Sequence, residues 1–227
     1  MTPYEEGSFL AELSPDDRDD LQRLGRPRAF RRGETIFREG EHSTWAAVLT
    51  SGHVKAYSDR EQGGEALLAV RGPGALLGEV AVIDGGARSA TVAALEPVKL
   101  LTVTGEQFME FLRTHGGASV LIMRTLCQRF RDADRKRIEF GMFDATGRVA
   151  QRLVELAERF GVPDDPAAGG GVRINLNLSQ EELAGWVGAS REAVSKALGT
   201  LRRHGLIETG RRKFVVRDLP ALRRHAR

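Results

Sequence analysis

The sequence predicts an α+β chain in three parts, and three patterns support this fold class. Between Phe30 and Val103, short apolar runs alternate with glycines, which is typical of short antiparallel strands. Residues 118–142 contain no proline and carry apolar residues at steps of three and four, which predicts one long helix. Residues 179–216 then have the pattern of two capped helices followed by a β-hairpin.

The β-rich part follows a short helix that begins after Ser14, where a capping serine precedes Pro15 and two aspartates. Short strands at such regular spacing favour an antiparallel barrel or sandwich, and residues 106–112 predict a short helix that closes it. The predicted strands are Thr35–Phe37, Trp45–Thr50, His53–Tyr57, Ala66–Val70, Ala90–Val92 and Val98–Val103.

The predicted long helix, residues 118–142, carries an apolar stripe that suits pairing with a second copy of the chain. Steps of three and four alternate along it, as in a coiled coil, so a homodimer would bury it. The alternative is that the stripe packs on its own domain. A second helix is expected from Asp144 to Phe160, and residues 161–171 are predicted to be a loop. The stripe consists of Met123, Leu126, Phe130, Ala133, Arg137 and Phe140.

The charge of the chain is unevenly distributed along its 227 residues, a length that suits two small domains. Residues 1–117 hold 13 Lys and Arg against 18 Asp and Glu, whereas residues 118–227 hold 21 against 13. The second half is therefore the candidate for binding nucleic acid, because cationic side chains that neutralise phosphates release counterions.

Several classes of protein are disfavoured by what the sequence lacks. No apolar run approaches the roughly 18 residues of a membrane span, and the acidic start does not resemble a signal peptide, so we expect a cytoplasmic protein without a membrane partner. Cys127 is the single cysteine, which argues against disulfides and iron–sulfur clusters. No metal-ligand spacing, Walker loop or nucleophile elbow is present, so we expect no metal and no enzyme. The histidines, His42, His53, His115, His204 and His225, are scattered along the sequence.

A phosphate-binding arrangement lies between Leu77 and Val92. A helical turn that begins at Gly78 offers backbone N–H groups to an anion. Arg88 offers a charged fork and Ser89 a hydroxyl, while Glu79 can accept a hydrogen bond from a sugar hydroxyl. Together these groups fit a sugar that carries a cyclic phosphate.

The region 179–203 predicts two helices joined by a tight turn at Gly188. Ser179 and Glu182 form a capping box, and Ser190 can cap the second helix. That helix has a polar side whose side chains suit base edges, because arginine and lysine pair with guanine and glutamate accepts from cytosine. An ordinary solvated face is the alternative. The polar side contains Arg191, Glu192, Ser195 and Lys196.

A β-hairpin is predicted immediately after the second helix, over residues 205–216. Its tip carries three basic residues, Arg211, Arg212 and Lys213. Such a wing suits contact with DNA phosphates.

These motifs, in this order, resemble the cyclic-AMP receptor/FNR family of bacterial transcription regulators along nearly the whole chain. The resemblance implies a cyclic-nucleotide-binding, jelly-roll-like β-roll at residues 1–117, a dimerisation helix and hinge at 118–143, and a winged helix-turn-helix domain at 144–227. It implies a homodimer controlled allosterically by a cyclic nucleotide, with cyclic AMP as the first candidate. The implied partners are double-stranded DNA with a palindromic, GTGA-like site and RNA polymerase.

The resemblance also implies roles for single residues. Gly78 and Glu79 fall on the ribose side of the nucleotide site, Arg88 and Ser89 fall at the cyclic phosphate, and Val80 belongs to the same ligand-binding set. Arg191, Glu192 and Lys196 would read the half-site. The complete DNA-binding set implied is Ser179, Ser190, Arg191, Glu192, Ser195, Lys196, Arg211, Arg212 and Lys213.

The chain departs from the family's pattern on the central helix. Members that respond to cyclic AMP have two small polar residues there that contact adenine across the dimer, and Ala133 and Asp134 take their places. The Ala133 side chain neither donates nor accepts, whereas Asp134 could accept from adenine, match the two donors of guanine or form a surface ion pair. Cyclic GMP, another ligand and ligand-independent DNA binding therefore stay open. His53 is a conceivable axial ligand of a haem-sensing relative, but the intact phosphate-binding arrangement argues that the pocket takes an anion.

Overall fold

The computed structural model describes residues 4–60 and 64–226. Contacts between Cα atoms divide the chain into two compact units. The first comprises Met1–Asp59 with Leu68–Asp132, and the second comprises Arg60–Leu67 with Ala133–Arg227.

Short antiparallel strands form two sheets in the β-rich part of the chain. One sheet has the strand order β1-β8-β3-β6 and the other the order β2-β7-β4-β5. The strands are β1 (Arg26–Phe30), β2 (Thr35–Phe37), β3 (Trp45–Ser51), β4 (Val54–Asp59), β5 (Glu65–Arg71), β6 (Leu76–Leu77), β7 (Thr91–Ala94) and β8 (Val98–Thr104).

The two sheets enclose an apolar core, which confirms the predicted sandwich-like arrangement. Leu49 and Leu100 from the first sheet pack with Phe37, Val54 and Val92 from the second. Every strand expected from the sequence is present, and each end lies within two residues of its predicted position. Strands β1 and β6 were not expected: β1 is an exposed edge strand with little apolar pattern, and β6 has two residues.

Helices cover the open face of the first sheet and form a second core there. Phe108 and Phe111 are fully buried in it together with Leu10, Leu21 and Ile122. Ser14 caps the second helix as predicted, because its Oγ accepts from the Asp17 N–H at 3.1 Å. The helices are α1 (Phe9–Glu12), α2 (Pro15–Leu24), α3 (Glu79–Asp84), α4 (Gly105–Thr114) and α5 (Gly116–Met142).

The apolar stripe of α5 is mostly exposed on a single chain. Met123, Phe130 and Phe140 are 57%, 69% and 49% exposed, whereas Leu126 packs against the helix-covered core. The stripe is therefore mixed: Leu126 packs on the first unit and Phe140 lies against Gly188 of the second, as the alternative interpretation required. The large exposed side chains are the part that a partner could bury.

Helices α6–α9 and a small sheet build the second unit. The sheet has the order β11-β12-β10-β9 and is antiparallel, and Leu153, Leu183 and Leu198 are buried in the core of the unit. The elements are α6 (Ala145–Phe160), β9 (Gly161–Pro163), β10 (Val172–Ile174), α7 (Gln180–Val187), α8 (Arg191–Arg203), β11 (Ile207–Gly210), β12 (Lys213–Val216) and α9 (Leu219–His225).

The prediction that residues 161–171 form only a loop was wrong. Strand β9 pairs with β10 through Val172↔Pro163 and Ile174↔Gly161, and a 3₁₀ turn follows at Pro166–Ala168. A three-residue strand that contains glycine and proline has too little apolar pattern to be recognised. Across the described residues, no helix is long and apolar enough to cross a bilayer.

Candidate functional site

A tight backbone turn places the first group of predicted ligand residues. Gly78 has a φ of 75°, in the left-handed region, and precedes the short helix α3. A Cβ at this position would collide with the guanidinium of Arg88 and the ring of Phe37. Glycine is therefore required here both by its conformation and by the close approach of Arg88.

Arg88 is buried beneath this turn, and each of its three guanidinium nitrogens donates a hydrogen bond. Its Nε donates to Ser43 Oγ at 2.7 Å, and its two terminal nitrogens donate to the carbonyls of Gly78 and Trp45, each at 2.5 Å. The guanidinium carbon lies 3.8 Å from the ring centre of Phe37. Burial lowers the pKa of Arg88, and the nearby Glu79 carboxylate raises it in part.

Glu79 is buried as well, and its partner was missed in the sequence. Its side chain is 3% exposed and forms an ion pair with Arg129 of α5, which also donates to the Leu76 carbonyl at 3.0 Å. The available signal was helical spacing, because Arg129 precedes Ala133 by four residues and so shares a face of the helix with it. The cluster of Glu79, Arg88 and Arg129, here called the buried charge cluster, thus has two cations and one carboxylate.

The other predicted ligand residues are more open. Val80 is half-buried on α3, and Ser89 is exposed next to Arg88. Ala133 and Asp134 are both exposed on α5. The structure therefore brings Gly78, Glu79 and Arg88 together, while Ala133 and Asp134 lie on an open helix face.

The histidines are less scattered in space than in sequence. His53 Nδ1 lies 2.6 Å from Glu96 Oε1, and its Nε2 lies 3.7 Å from Glu5 Oε1, so both ring nitrogens face carboxylates. The rings of His204 and His225 lie 5.7 Å apart at the ends of α8 and α9. Within residues 4–60 and 64–226, no group of three or more His, Cys, Asp or Glu side chains could hold a metal ion.

The second candidate site begins with two capped helices, as predicted. Ser179 Oγ accepts from the Glu182 N–H at 3.1 Å, while Glu182 accepts from the Ser179 N–H at 2.8 Å. Gly188 ends α7 with a φ of 63°, and the ring of Phe140 lies against it. Ser190 Oγ accepts from the Ala193 N–H at 3.1 Å and starts α8. Both serine hydroxyls are thus already engaged as helix caps.

Helix α8 separates a core face from a polar face. Val194, Ala197, Leu198 and Leu201 are buried. The predicted recognition residues Arg191, Glu192, Ser195 and Lys196 are all exposed.

The hairpin of β11 and β12 forms the predicted wing. Gly210 pairs with Lys213, so Arg211 and Arg212 are its two-residue tip. Arg212 has a φ of 56°, and among the described residues it is the one position other than glycine with a positive φ. Lys213 was predicted at the tip but begins β12, where its Nζ lies 3.8 Å from Asp164 Oδ1.

Family models match both halves of this arrangement. The model of the cyclic nucleotide-binding domain matches residues 27–115, which include the buried charge cluster except Arg129. The model of the Crp-like helix-turn-helix domain matches residues 147–225. The chain thus combines a domain of the nucleotide-binding type with one of the DNA-binding type.

Relatives along nearly the whole chain carry the same combination. A protein of Mycobacterium tuberculosis called a CRP-like cAMP-activated global transcriptional regulator is 33% identical over 201 residues, which is 88% of each chain. The cyclic AMP receptor protein of Thermus thermophilus is 29% identical over 92% of each chain. A solved structure of a CRP-family transcriptional regulator, also from Thermus thermophilus, is 28% identical and has a TM-score of 0.73, covering 88% of this chain and 96% of that one.

These findings define a transcription regulator with a cyclic nucleotide-binding domain and a helix-turn-helix DNA-binding domain. The chain belongs to the CRP/FNR family. The family assignment and the fold class expected from the sequence are therefore confirmed.

Proposed function

We propose that this protein is a homodimeric transcription regulator whose binding to a palindromic operator is controlled by a cyclic nucleotide, with cyclic AMP as the first candidate. The observation that carries the proposal is the convergence of two buried, oppositely charged side chains, Glu79 and Arg88, at the Gly78 turn. Burying charges is costly, and a chain keeps them where their charge has a use. A sugar hydroxyl and a phosphate are ligands that use both.

The residues at the turn fit such a ligand. Arg88 is a planar donor suited to a phosphate, and the exposed Ser89 hydroxyl lies next to it in the chain. Glu79 suits the ribose 2′-hydroxyl as an acceptor, and Arg129 would hold that carboxylate in place from the central helix. Because Gly78 has no side chain, the guanidinium of Arg88 can approach the turn closely.

The base would be recognised from α5. Ala133 and Asp134 are exposed there and would contact the purine across a dimer, so Asp134 would accept a hydrogen bond from the base. Cyclic AMP is placed first because the relative from Mycobacterium tuberculosis is called cAMP-activated. Cyclic GMP is the second candidate because a carboxylate suits the two adjacent donors of guanine.

The second unit would bind DNA through α8 and the wing. Arg191, Glu192 and Lys196 present unburied polar ends for base edges, and Arg211 and Arg212 suit phosphates. The exposed apolar side chains of the α5 stripe would be buried in a symmetric dimer. A dimer of this symmetry places two recognition helices on inverted half-sites, which we expect to be GTGA-like, and RNA polymerase is the expected protein partner.

The ligand half of the proposal is tested by calorimetry with cyclic AMP, cyclic GMP and 2′-deoxy cyclic AMP. Cyclic AMP should bind with one site per protomer. Glu79→Gln should lower the affinity for cyclic AMP about tenfold, since one charge-assisted hydrogen bond is lost, yet leave 2′-deoxy cyclic AMP unaffected.

Glu106→Gln is the matched control, because Glu106 is an exposed acid of the same unit. It should bind all three nucleotides as the wild-type protein does. Absence of binding to any cyclic nucleotide would favour the ligand-independent alternative, and tighter binding of cyclic GMP would reverse the choice of base.

A further inference from the structure

A buried carboxylate connects the strands at the base of the wing. Asp164 follows β9, and its side chain is 5% exposed. Its Oδ2 accepts from a terminal nitrogen of Arg217 at 3.1 Å, and its backbone N–H donates to the Gly171 carbonyl at 3.0 Å. Arg217 also donates to Glu208 on β11 at 2.6 Å. Asp164 and Arg217 thus join both edges of the sheet.

The other oxygen of Asp164 faces two further cations. Oδ1 lies 3.7 Å from Arg173 Nε on β10 and 3.8 Å from Lys213 Nζ on β12. These distances allow electrostatic attraction but are too long for hydrogen bonds. The N–H groups of Arg173 and Lys213 therefore lie near one point but form no hydrogen bond with Asp164 Oδ1.

Both cations remain open to solvent. The side chains of Arg173 and Lys213 are 44% and 51% exposed, whereas Arg217 is 13% exposed and turned inward. Since both nitrogens approach the same oxygen, they lie no more than 7.5 Å apart, the sum of 3.7 and 3.8 Å. Arg217 pairs with both Asp164 and Glu208, and the Glu208 carboxylate also attracts Lys213. The cluster of Arg173, Lys213 and Arg217 with these two carboxylates therefore keeps a net positive charge.

We propose that Arg173 and Lys213 form one phosphate-binding pair at the base of the wing, and that Asp164 is the positioning residue that holds them together. The partner is the backbone of double-stranded DNA. Arg173 thereby joins the proposed DNA-binding surface, although it lies on β10, outside both α8 and the tip of the wing. This inference rests on the proposed DNA-binding function.

The substitution Asp164→Asn tests the proposal through the sign of its effect. Removing an acidic charge close to DNA would, by electrostatics alone, tighten binding. Loss of a positioning residue weakens it instead, because the cations spread apart. At about 0.15 M salt, each lost phosphate contact corresponds to roughly fivefold weaker binding and lowers the slope of log K against log salt by about 0.9. A dimer that loses one contact per protomer should therefore bind roughly 25-fold more weakly, with a slope lower by about 1.8.

The probe is a duplex with two inverted GTGA half-sites, compared with a duplex of scrambled sequence, and affinity is measured by fluorescence anisotropy at several salt concentrations with cyclic AMP present. Asp164→Asn and Arg173→Gln should each weaken binding to both duplexes equally and reduce the salt slope. Asp164→Glu should restore most of the slope. Glu181→Gln, an exposed acid in the first turn of α7, controls for charge removal and should bind equally or more tightly.

Binding by the wild-type protein distinguishes failure of the proposed DNA-binding function from failure of the positioning role of Asp164. If the wild-type protein binds neither duplex, the DNA-binding proposal itself fails. If it binds while Asp164→Asn binds as tightly or more tightly with an unchanged slope, the positioning role is wrong. Arg173→Gln changes a half-exposed side chain and is expected to fold, so an unchanged slope in this variant overturns the phosphate pair even where Asp164→Asn does not fold.

Discussion

The two candidate sites use the same kinds of side chain in opposite surroundings. In the buried charge cluster, Arg88 and Glu79 are almost completely enclosed and are bonded to protein groups. On α8, Arg191 and Glu192 are exposed at the surface. The proposed nucleotide site is therefore part of the architecture of its unit, whereas the proposed DNA-binding face lies on top of a core built by other residues.

In the second unit, the exposed side chains proposed to bind DNA contribute little to stability. In the first unit, the buried side chains proposed to bind the nucleotide also stabilise the fold. Removing a buried hydrogen-bonding group leaves its partners unsatisfied, which typically costs about 1–3 kcal/mol for each group. Removing an exposed side chain usually changes stability by no more than about 0.5 kcal/mol. Substitutions at the two sites should consequently differ more in their effect on folding than in their effect on binding.

The largest effect is expected for Arg88→Leu. This change removes the donor to the carbonyls of Gly78 and Trp45, and it removes a positive charge near the carboxylate of Glu79. It should therefore destabilise the first unit by about 3–5 kcal/mol. Nucleotide binding should be abolished. Urea unfolding and calorimetry measure the two effects.

Arg38→Leu is the matched control, because Arg38 is 70% exposed. It should retain both stability and nucleotide binding. Unchanged nucleotide affinity in Arg88→Leu would refute the phosphate assignment, and unchanged stability would refute the claim that this site is structural.

Next in size is the effect of a charge on the stripe of α5. Phe130→Asp should weaken the dimer by about 3 kcal/mol, since each of two symmetric rings contributes roughly 1.5 kcal/mol or more on burial. Stability of the single chain should hardly change, because the ring is 69% exposed. Sedimentation equilibrium gives the dissociation constant.

Ile138→Asp sharpens this test. Ile138 is 60% exposed on the same helix but lies off the predicted stripe. The dimer should survive this change. Dissociation by Ile138→Asp with no effect of Phe130→Asp would show that a different face of α5 pairs.

A smaller effect is expected for Arg191→Ala, at about 1–3 kcal/mol per half-site on specific DNA. The melting temperature should stay within a degree or two of the wild-type value, because Arg191 is exposed. Anisotropy with specific and scrambled duplexes measures the loss. An equal loss on both duplexes would make Arg191 a contact to the backbone rather than to a base.

The smallest effect concerns the ion pair between the exposed Glu208 and the largely buried Arg217. The hydrogen bond from Arg217 lowers the pKa of Glu208 below its ordinary value of 4.5. A carboxylate with a depressed pKa stabilises the folded state above its unfolded pKa, and this contribution is lost as the pH falls through the folded value. Glu208→Gln should therefore lower the melting temperature slightly at pH 7, and the difference should shrink as the pH falls below 4.5.

Thermal melting of both proteins from pH 7 to pH 3 checks this expectation. Asp218 caps α9, so it is unsuitable as a control, and Glu181→Gln serves instead. A difference between Glu208→Gln and the wild-type protein that grows toward acidic pH would contradict the sign.

The sequence predicted those elements whose chemistry is local. The capping serines and the glycine turn predicted the ends of α7 and the start of α8, because Ser179, Gly188 and Ser190 act within four residues of their positions. The strands of the β-rich part were found through their glycine punctuation. Strand β1 escaped because its residues are almost all exposed, and β9 because it has three residues.

The sequence could not show which charged side chains pair with each other when they lie far apart along the chain. The pairing of Glu79 with Arg129 spans 50 residues, and that of Asp164 with Lys213 spans 49. Such pairs follow from the packing of elements, which no local pattern encodes. The residue types at the predicted nucleotide site were recognisable, but their burial and their mutual bonds needed the structure.

Allosteric control requires that the nucleotide and the DNA be thermodynamically coupled through this protein. This coupling is tested most directly by measuring the affinity for cyclic AMP with and without a saturating duplex of two GTGA half-sites, and the affinity for that duplex with and without cyclic AMP. Coupling is reciprocal, so both affinities should rise by the same factor, within about 5–150-fold. Binding of each ligand unaffected by the other would contradict allosteric control by the nucleotide.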